Sequence, residues 1–210
     1  MIILSPNVLK VFAVETDQGR HYVAIEYVDG QSMQDWVDQL GRLTVADSVL
    51  VAIHCAEALL HAHQAKLVHR DVKPDNVLVT QSGLVKVADF GLAKAADEDV
   101  SMTQSGTGMG TPLYMAPEQA EGQLDAIDAR TDIFSLGGIL YSILALRPPV
   151  IGTTEAEVLD RIKRGEINPP GQTPADKKTK NTPTPVLVHC PERRVPGALA
   201  AVTMQSLAHN

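Results

Sequence analysis

His69-Arg70-Asp71-Val72-Lys73-Pro74-Asp75-Asn76 is the stretch whose reading decides the fold. Asp71, Lys73 and Asn76 place a carboxylate, an ammonium and a carboxamide within six residues. Pro74 among them lacks a backbone donor and excludes a regular helix there. Three polar groups of different chemistry, close together and outside a helix, describe a polar site and not a packed face. Working outward, Asp89-Phe90-Gly91 begins thirteen residues past Asn76, and Ala116-Pro117-Glu118 lies further on. Any one of these acids alone reads as a solvated loop charge. In this order and spacing they read as parts of one site.

Composition bounds what that site serves. At 210 residues with 44% hydrophobic content, the chain suits one or two domains and has ample material for a core. A net charge of −7 argues against a nucleic-acid partner or an anionic membrane surface, both of which favour a basic protein. Cys55 and Cys190 form no disulfide framework and no metal cluster, a pattern that fits a reducing cytoplasm. The start, Met-Ile-Ile-Leu-Ser-Pro, lacks the charged opening and long apolar run of a signal peptide. No window offers about 18 uninterrupted apolar residues, so no membrane segment is expected.

Residues 7–15 and 21–28 are rich in β-branched and aromatic types, and Thr16 to Arg20 between them carries a turn glycine, which predicts a hairpin. Gln31 to Leu40 is helix-compatible, with Met33, Trp36, Val37 and Leu40 at spacings of three and four; Trp36 is expected to pack. Thr44 and Asp47 frame a capping signal for a long helix ending near Lys66. Val45, Val49, Ile53, Ala56 and Leu60 are its predicted buried stripe. His54, His61 and His63 lack a zinc pattern and read as helix surface or satisfied partners. Residues 77–79 and 84–88 predict a second hairpin around Gln81-Ser82-Gly83. Residues 92–115 form a long polar loop, of the kind that is functional or disordered. Asp132 to about Leu146 predicts a buried helix stopped by Pro148-Pro149, and Glu155 to Gly165 another with Ala156, Leu159 and Ile162 in its pattern. Asn168 to Pro196 is proline-rich and reads as a flexible linker or a segment that has lost its original fold, after which helical spacing returns.

His69–Asn76, Ala88-Asp89-Phe90-Gly91-Leu92-Ala93-Lys94 and Gly110-Thr111-Pro112-Leu113-Tyr114-Met115-Ala116-Pro117-Glu118-Gln119 resemble the motifs of bacterial serine/threonine protein kinases of eukaryotic type. The likeness covers about residues 5–165 and, weakly, 195–210. It implies an α+β, protein-kinase-like fold, mainly the helical large lobe with a remnant hairpin and hinge of the small lobe. The implied organisation is small-lobe remnant 1–28, large lobe 29–166, linker or disrupted segment 167–196 and partial large-lobe helix 197–210.

The resemblance also implies roles, because phosphoryl transfer rests on positioning and charge neutralisation. Asp71 is expected to take or orient the proton of the substrate hydroxyl, Lys73 to offset phosphate charge, and Thr111 to bond both. Asn76 and Asp89 are the expected Mg²⁺ ligands, as hard oxygen donors. Ile25, Glu26, Val28 and Leu78 are expected to surround the adenine of ATP, with Ile25 at the back of the pocket and Leu78 as its floor. Residues 92–115 correspond to an activation segment, with Thr103, Ser105 and Thr107 as phosphate acceptors and Arg70 as their partner. The implied partners are ATP and proteins bearing serine or threonine. No glycine-rich phosphate loop, strand lysine or partner glutamate helix occurs before the hairpin, and no late-helix arginine is present for Glu118. The sequence is therefore expected to be truncated at both ends. Two readings of activity stay open: a phosphotransferase, or an inactive remnant that binds nucleotide or protein partners.

Overall fold

The structure, a computed structural model, describes residues 5–90, 112–172 and 187–208. Strands β1 (Val11–Asp17) and β2 (Arg20–Ile25) pair antiparallel around Gln18-Gly19, whose φ angles are 47° and 76°. Positive φ at both central positions matches the twist of the flanking strands. The hairpin is narrower than the 7–15 and 21–28 runs. Val8 makes a parallel bridge to Val87, the Leu9 amide donates to the Val87 carbonyl at 2.9 Å, and the Val87 amide donates to the Asn7 carbonyl at 2.7 Å. Val8 and Leu9 are buried there, whereas Phe12 and Val14 in β1 are 69% and 72% exposed. Burial decides the split, since the first apolar pair finds core to enter and the later ones find none among the described residues.

A second sheet has the order β3 (Gly30–Ser32), β4 (Val77–Thr80), β5 (Val85–Val87), antiparallel throughout. Strand β3 was hidden in the sequence because Gly-Gln-Ser has no β-like pattern; its pairing is made by backbone. Gly30 is required, since a Cβ there would run into the Val79 carbonyl. Ser32 then caps α1 (Met33–Leu40), its hydroxyl accepting from the Asp35 amide while the Asp35 carboxylate accepts from the Ser32 amide. Met33 is buried and Trp36 packs on the core beside it.

Helix α2 (Val45–Gln64) starts on Thr44, whose hydroxyl accepts from the Asp47 amide. Its buried face is Ser48, Val51, Cys55, Ala58, Leu59 and Ala62. That corrects the stripe read at Val45, Val49, Ile53, Ala56 and Leu60: Ile53 and Leu60 are 49% and 55% exposed. The helix is apolar nearly all round, so spacing alone fits two faces, and packing against β4, β5 and α4 (Ala129–Ala145) selects the other one. Among the described residues α2 is the one helix long and apolar enough to cross a membrane. Its face of small and branched residues instead builds the core with Val77, Val79, Val85, Val87, Ile139 and Ile143.

Helix α4 begins three residues before the expected Asp132, on Asp128, whose carboxylate accepts from the Arg130 amide. Thirteen of its residues are buried, Asp132 among them. The short α3 (Pro117–Ala120) precedes it, and α5 (Glu155–Lys163) follows, capped by Thr154. Val158 and Ile162 are the buried residues of α5, while Ala156 is exposed. Leu187 and Cys190 are buried, so the described end of the proline-rich stretch packs. Helix α6 (Gly197–Ser206) lies on α4, where Gly137 leaves room for the Ser206 side chain.

Candidate active site

His69–Asn76 leaves α2 and enters β4 through a single 3₁₀ turn at Pro74–Asn76. Arg70 and, across the site, Asp89 hold φ of 70° and 63°. Left-handed backbone at residues with a Cβ costs about 1 kcal/mol or more each and persists only where the surroundings impose it. Here the surroundings are explicit. The buried Asp132 carboxylate accepts from the His69 amide at 2.9 Å, the Arg70 amide at 2.8 Å and His63 Nε2 at 2.7 Å. His63 is thus a satisfied partner and not a metal ligand. Its part in the loop escaped the sequence because the contact spans 69 residues.

His69 is the second pillar. The Asp71 amide donates to its Nδ1 at 3.2 Å, and its Nε2 donates to the Ala88 carbonyl at 2.7 Å. One neutral imidazole tautomer supplies that acceptor and that donor together. The ring also lies 4.6 Å from the Phe90 ring, tilted by 60°. The Ala88 amide donates to the Asn76 carbonyl at 2.8 Å. Ala88 is therefore held at both polar ends, which brings Asp89 alongside Asn76.

Within this frame the catalytic-loop polar residues meet. Lys73 Nζ lies 2.7 Å from Asp71 Oδ2, with both side chains substantially exposed. Asn76 Nδ2 donates to the Asp71 carbonyl at 2.8 Å and to its Oδ2 at 3.2 Å. That orientation leaves Asn76 Oδ1 without a donor among the described residues, and Asp89 is exposed. An amide oxygen and a carboxylate, neither engaged among the described residues, fit a hard divalent cation that keeps water or phosphate on its other positions.

The expected adenine residues are placed less uniformly. Leu78 sits half-buried on β4 opposite Ser32 and Lys86. Val28 is half-buried, whereas Ile25 ends β2 and is 49% exposed. The Glu26 carboxylate is engaged in the fold: it accepts from Lys86 Nζ and from the Lys10 amide, both at 2.8 Å, and Lys86 also donates to the Pro6 carbonyl. Partial burial pushes the Glu26 carboxyl up, but the Lys86 and Lys10 bonds outweigh it and leave the group below its ordinary value. Thr111, Thr103, Ser105 and Thr107 lie outside the described residues. Glu118, expected to lack a partner, accepts from the Thr131 hydroxyl at the start of α4.

The buried Asp132 holds the backbone of the loop that gathers Asp71, Lys73 and Asn76, and Asp89 lies at the end of the β4–β5 hairpin that follows it. The protein kinase domain family matches residues 2–196, and the chain belongs to it. Its α+β architecture is a kinase-like fold fragment, and the family uses ATP and Mg²⁺. The serine/threonine-protein kinase PknB of Mycobacterium leprae is 38% identical over 171 residues, 80% of this chain and 27% of that protein. A probable serine/threonine-protein kinase of Streptomyces coelicolor is 39% identical over 150 residues, 71% of this chain and 22% of that one. Another from Clostridium perfringens is 37% identical over 166 residues, 79% and 24% respectively. The chain spans about a quarter of the length of these relatives.

Proposed function

We propose that this chain carries the catalytic half of a serine/threonine protein kinase, moving the γ-phosphoryl group of ATP to a protein hydroxyl. The carrying observation is the Asp71–Lys73–Asn76 cluster, where one carboxylate oxygen lies within 3.2 Å of both an ammonium and an amide nitrogen. Asp71 would accept the hydroxyl proton, and its exposure leaves it open to a substrate side chain. Lys73, tethered to Asp71, would offset charge on the transferred group without drifting from the acceptor. Asn76 Oδ1 and Asp89 would hold Mg²⁺, which supplies charge neutralisation of the phosphates. Ile25, Val28 and Leu78 would offer the apolar surroundings of the adenine, and Glu26 would serve by fixing the hinge backbone to β5. The two buried free thiols suit a reducing compartment, and we place the protein in the cytoplasm.

The test is transfer from labelled ATP to a generic serine-containing protein in the presence of Mg²⁺. Incorporation that disappears with chelator and falls at least about a hundredfold in Asp89→Ala supports the assignment, at the scale of losing electrostatic stabilisation. Nucleotide binding without transfer under these conditions would leave the inactive remnant as the correct reading.

A further inference from the structure

The peptide unit joining Arg70 to Asp71 is held at both of its polar ends. Its N–H, the Asp71 amide, donates to His69 Nδ1 at 3.2 Å. Its carbonyl, that of Arg70, accepts from Gln119 Nε2 at 2.7 Å. Gln119 belongs to α3, 49 residues further along the chain, and its own Oε1 accepts from the Ala116 amide at 3.1 Å. The same glutamine therefore ties the end of the 112–120 segment to itself and to the catalytic loop. The Arg70 amide on the preceding peptide unit is held by Asp132 Oδ1 at 2.8 Å. Arg70, in left-handed backbone, is thus pinned between Asp132 below and Gln119 above.

We propose that Gln119 is a positioning residue that fixes the Arg70–Asp71 peptide plane, and with it the Asp71 carboxylate, to the segment carrying Ala116–Ala120. Asp71 Cα follows directly from that plane, so tilting the plane swings the carboxylate away from Lys73 and Asn76. The consequence is a mechanical link: when 112–120 is seated, Asp71 is aimed, and when it is displaced, one of the two holds on the plane is lost. Its catalytic meaning rests on the kinase reading above; the link itself does not.

Gln119→Glu separates this role from simple capping of α3. Glutamate keeps an oxygen for the Ala116 amide but turns a second oxygen toward the Arg70 carbonyl. Gln119→Met removes both bonds at similar length. Amide hydrogen exchange on the full chain is read at Asp71, with α4 amides as the internal reference. Exchange at Asp71 is expected to quicken about five- to tenfold in both variants, the scale of one net hydrogen bond, while α4 stays unchanged. A Glu variant that exchanges at Asp71 like the wild type overturns the link, because capping alone would then account for Gln119. Phosphotransfer supplies the second readout. The Glu variant is expected to lose kcat about five- to tenfold with KM for ATP unchanged, the pattern of misaimed chemistry and not of weakened binding. Faster exchange with unaltered kcat overturns the positioning role. Absence of transfer in the wild type overturns the kinase reading instead, and the exchange result then decides the link alone.

Discussion

Asp132→Asn is the perturbation whose cost follows most directly from the bonds that this carboxylate makes. Asp132 Oδ2 carries two donors, the His69 amide and His63 Nε2, and Oδ1 carries the Arg70 amide. Asparagine offers one acceptor oxygen. Its better placement keeps the two donors on the Oδ2 side and turns an NH₂ group against the Arg70 N–H. One bond to a carboxylate is then lost, about 1.5–3 kcal/mol, and a donor in a buried site is orphaned at about 1–3 kcal/mol. The two estimates overlap, and together they give about 3 kcal/mol. The only tryptophan, Trp36, packs on the core and reports unfolding by fluorescence in urea. The midpoint should fall with the slope unchanged. His63→Phe supplies the control: the oxygen that asparagine keeps still faces His63, so its cost of about 1 kcal/mol should be similar in the wild type and in Asp132→Asn. A loss below about 1 kcal/mol for Asp132→Asn would refute Asp132 as the support of the left-handed Arg70.

Four further outcomes are expected. Lys86→Met leaves Glu26 half-buried without its ammonium and should cost about 2–3 kcal/mol, at the lower end for breaking a buried pair because Glu26 keeps the Lys10 amide and some solvent; Lys86→Met with Glu26→Leu should recover most of it in urea unfolding. The Glu26 carboxyl is lowered in the fold, so its contribution is complete above the ordinary carboxylate range and fades as pH falls through the folded value; Lys86→Met should move that loss to higher pH, read as the urea midpoint against pH. Glu157, held by the Thr153 amide and hydroxyl and by Arg161, is lowered to about 2, so the start of α5 should keep its structure below pH 4 and fray only as pH nears that value, read by amide chemical shifts. Gly30→Ala should separate β3 from β4 and cost about 2 kcal/mol or more in thermal unfolding, since the added Cβ meets backbone that has no room to yield.

The polar centre was legible in the sequence because its residues are contiguous. Asp71, Lys73 and Asn76 lie within one loop and Asp89 within one hairpin of it, so local spacing implied their meeting. What was hidden is long-range. His69 and Gln119 act on backbone groups, and nothing in a backbone carbonyl's sequence context announces which side chain will reach it. Asp132 was legible as the start of a buried helix, and its partner His63 was masked by lying on a helix with two other histidines. The stripe of α2 was misread for a physical reason: Ile53 and Leu60 are as apolar as Val51 and Leu59, and only the sheet and α4 distinguish the faces. Likewise Val8 and Leu9 share the composition of β1 yet join β5, because burial and not β-propensity ranks the alternatives.

Transfer of labelled γ-phosphate from ATP by the wild-type chain and by Asp71→Asn, both shown to be folded by Trp36 fluorescence, tests the central claim most directly. Asparagine preserves the shape and the contact with Asn76 but cannot take a proton, so incorporation should fall by about 10²–10⁴, the usual contribution of a positioned base. Equal incorporation by the two proteins, or none by the wild type with Mg²⁺ present, would contradict Asp71 as the base of a working phosphotransferase.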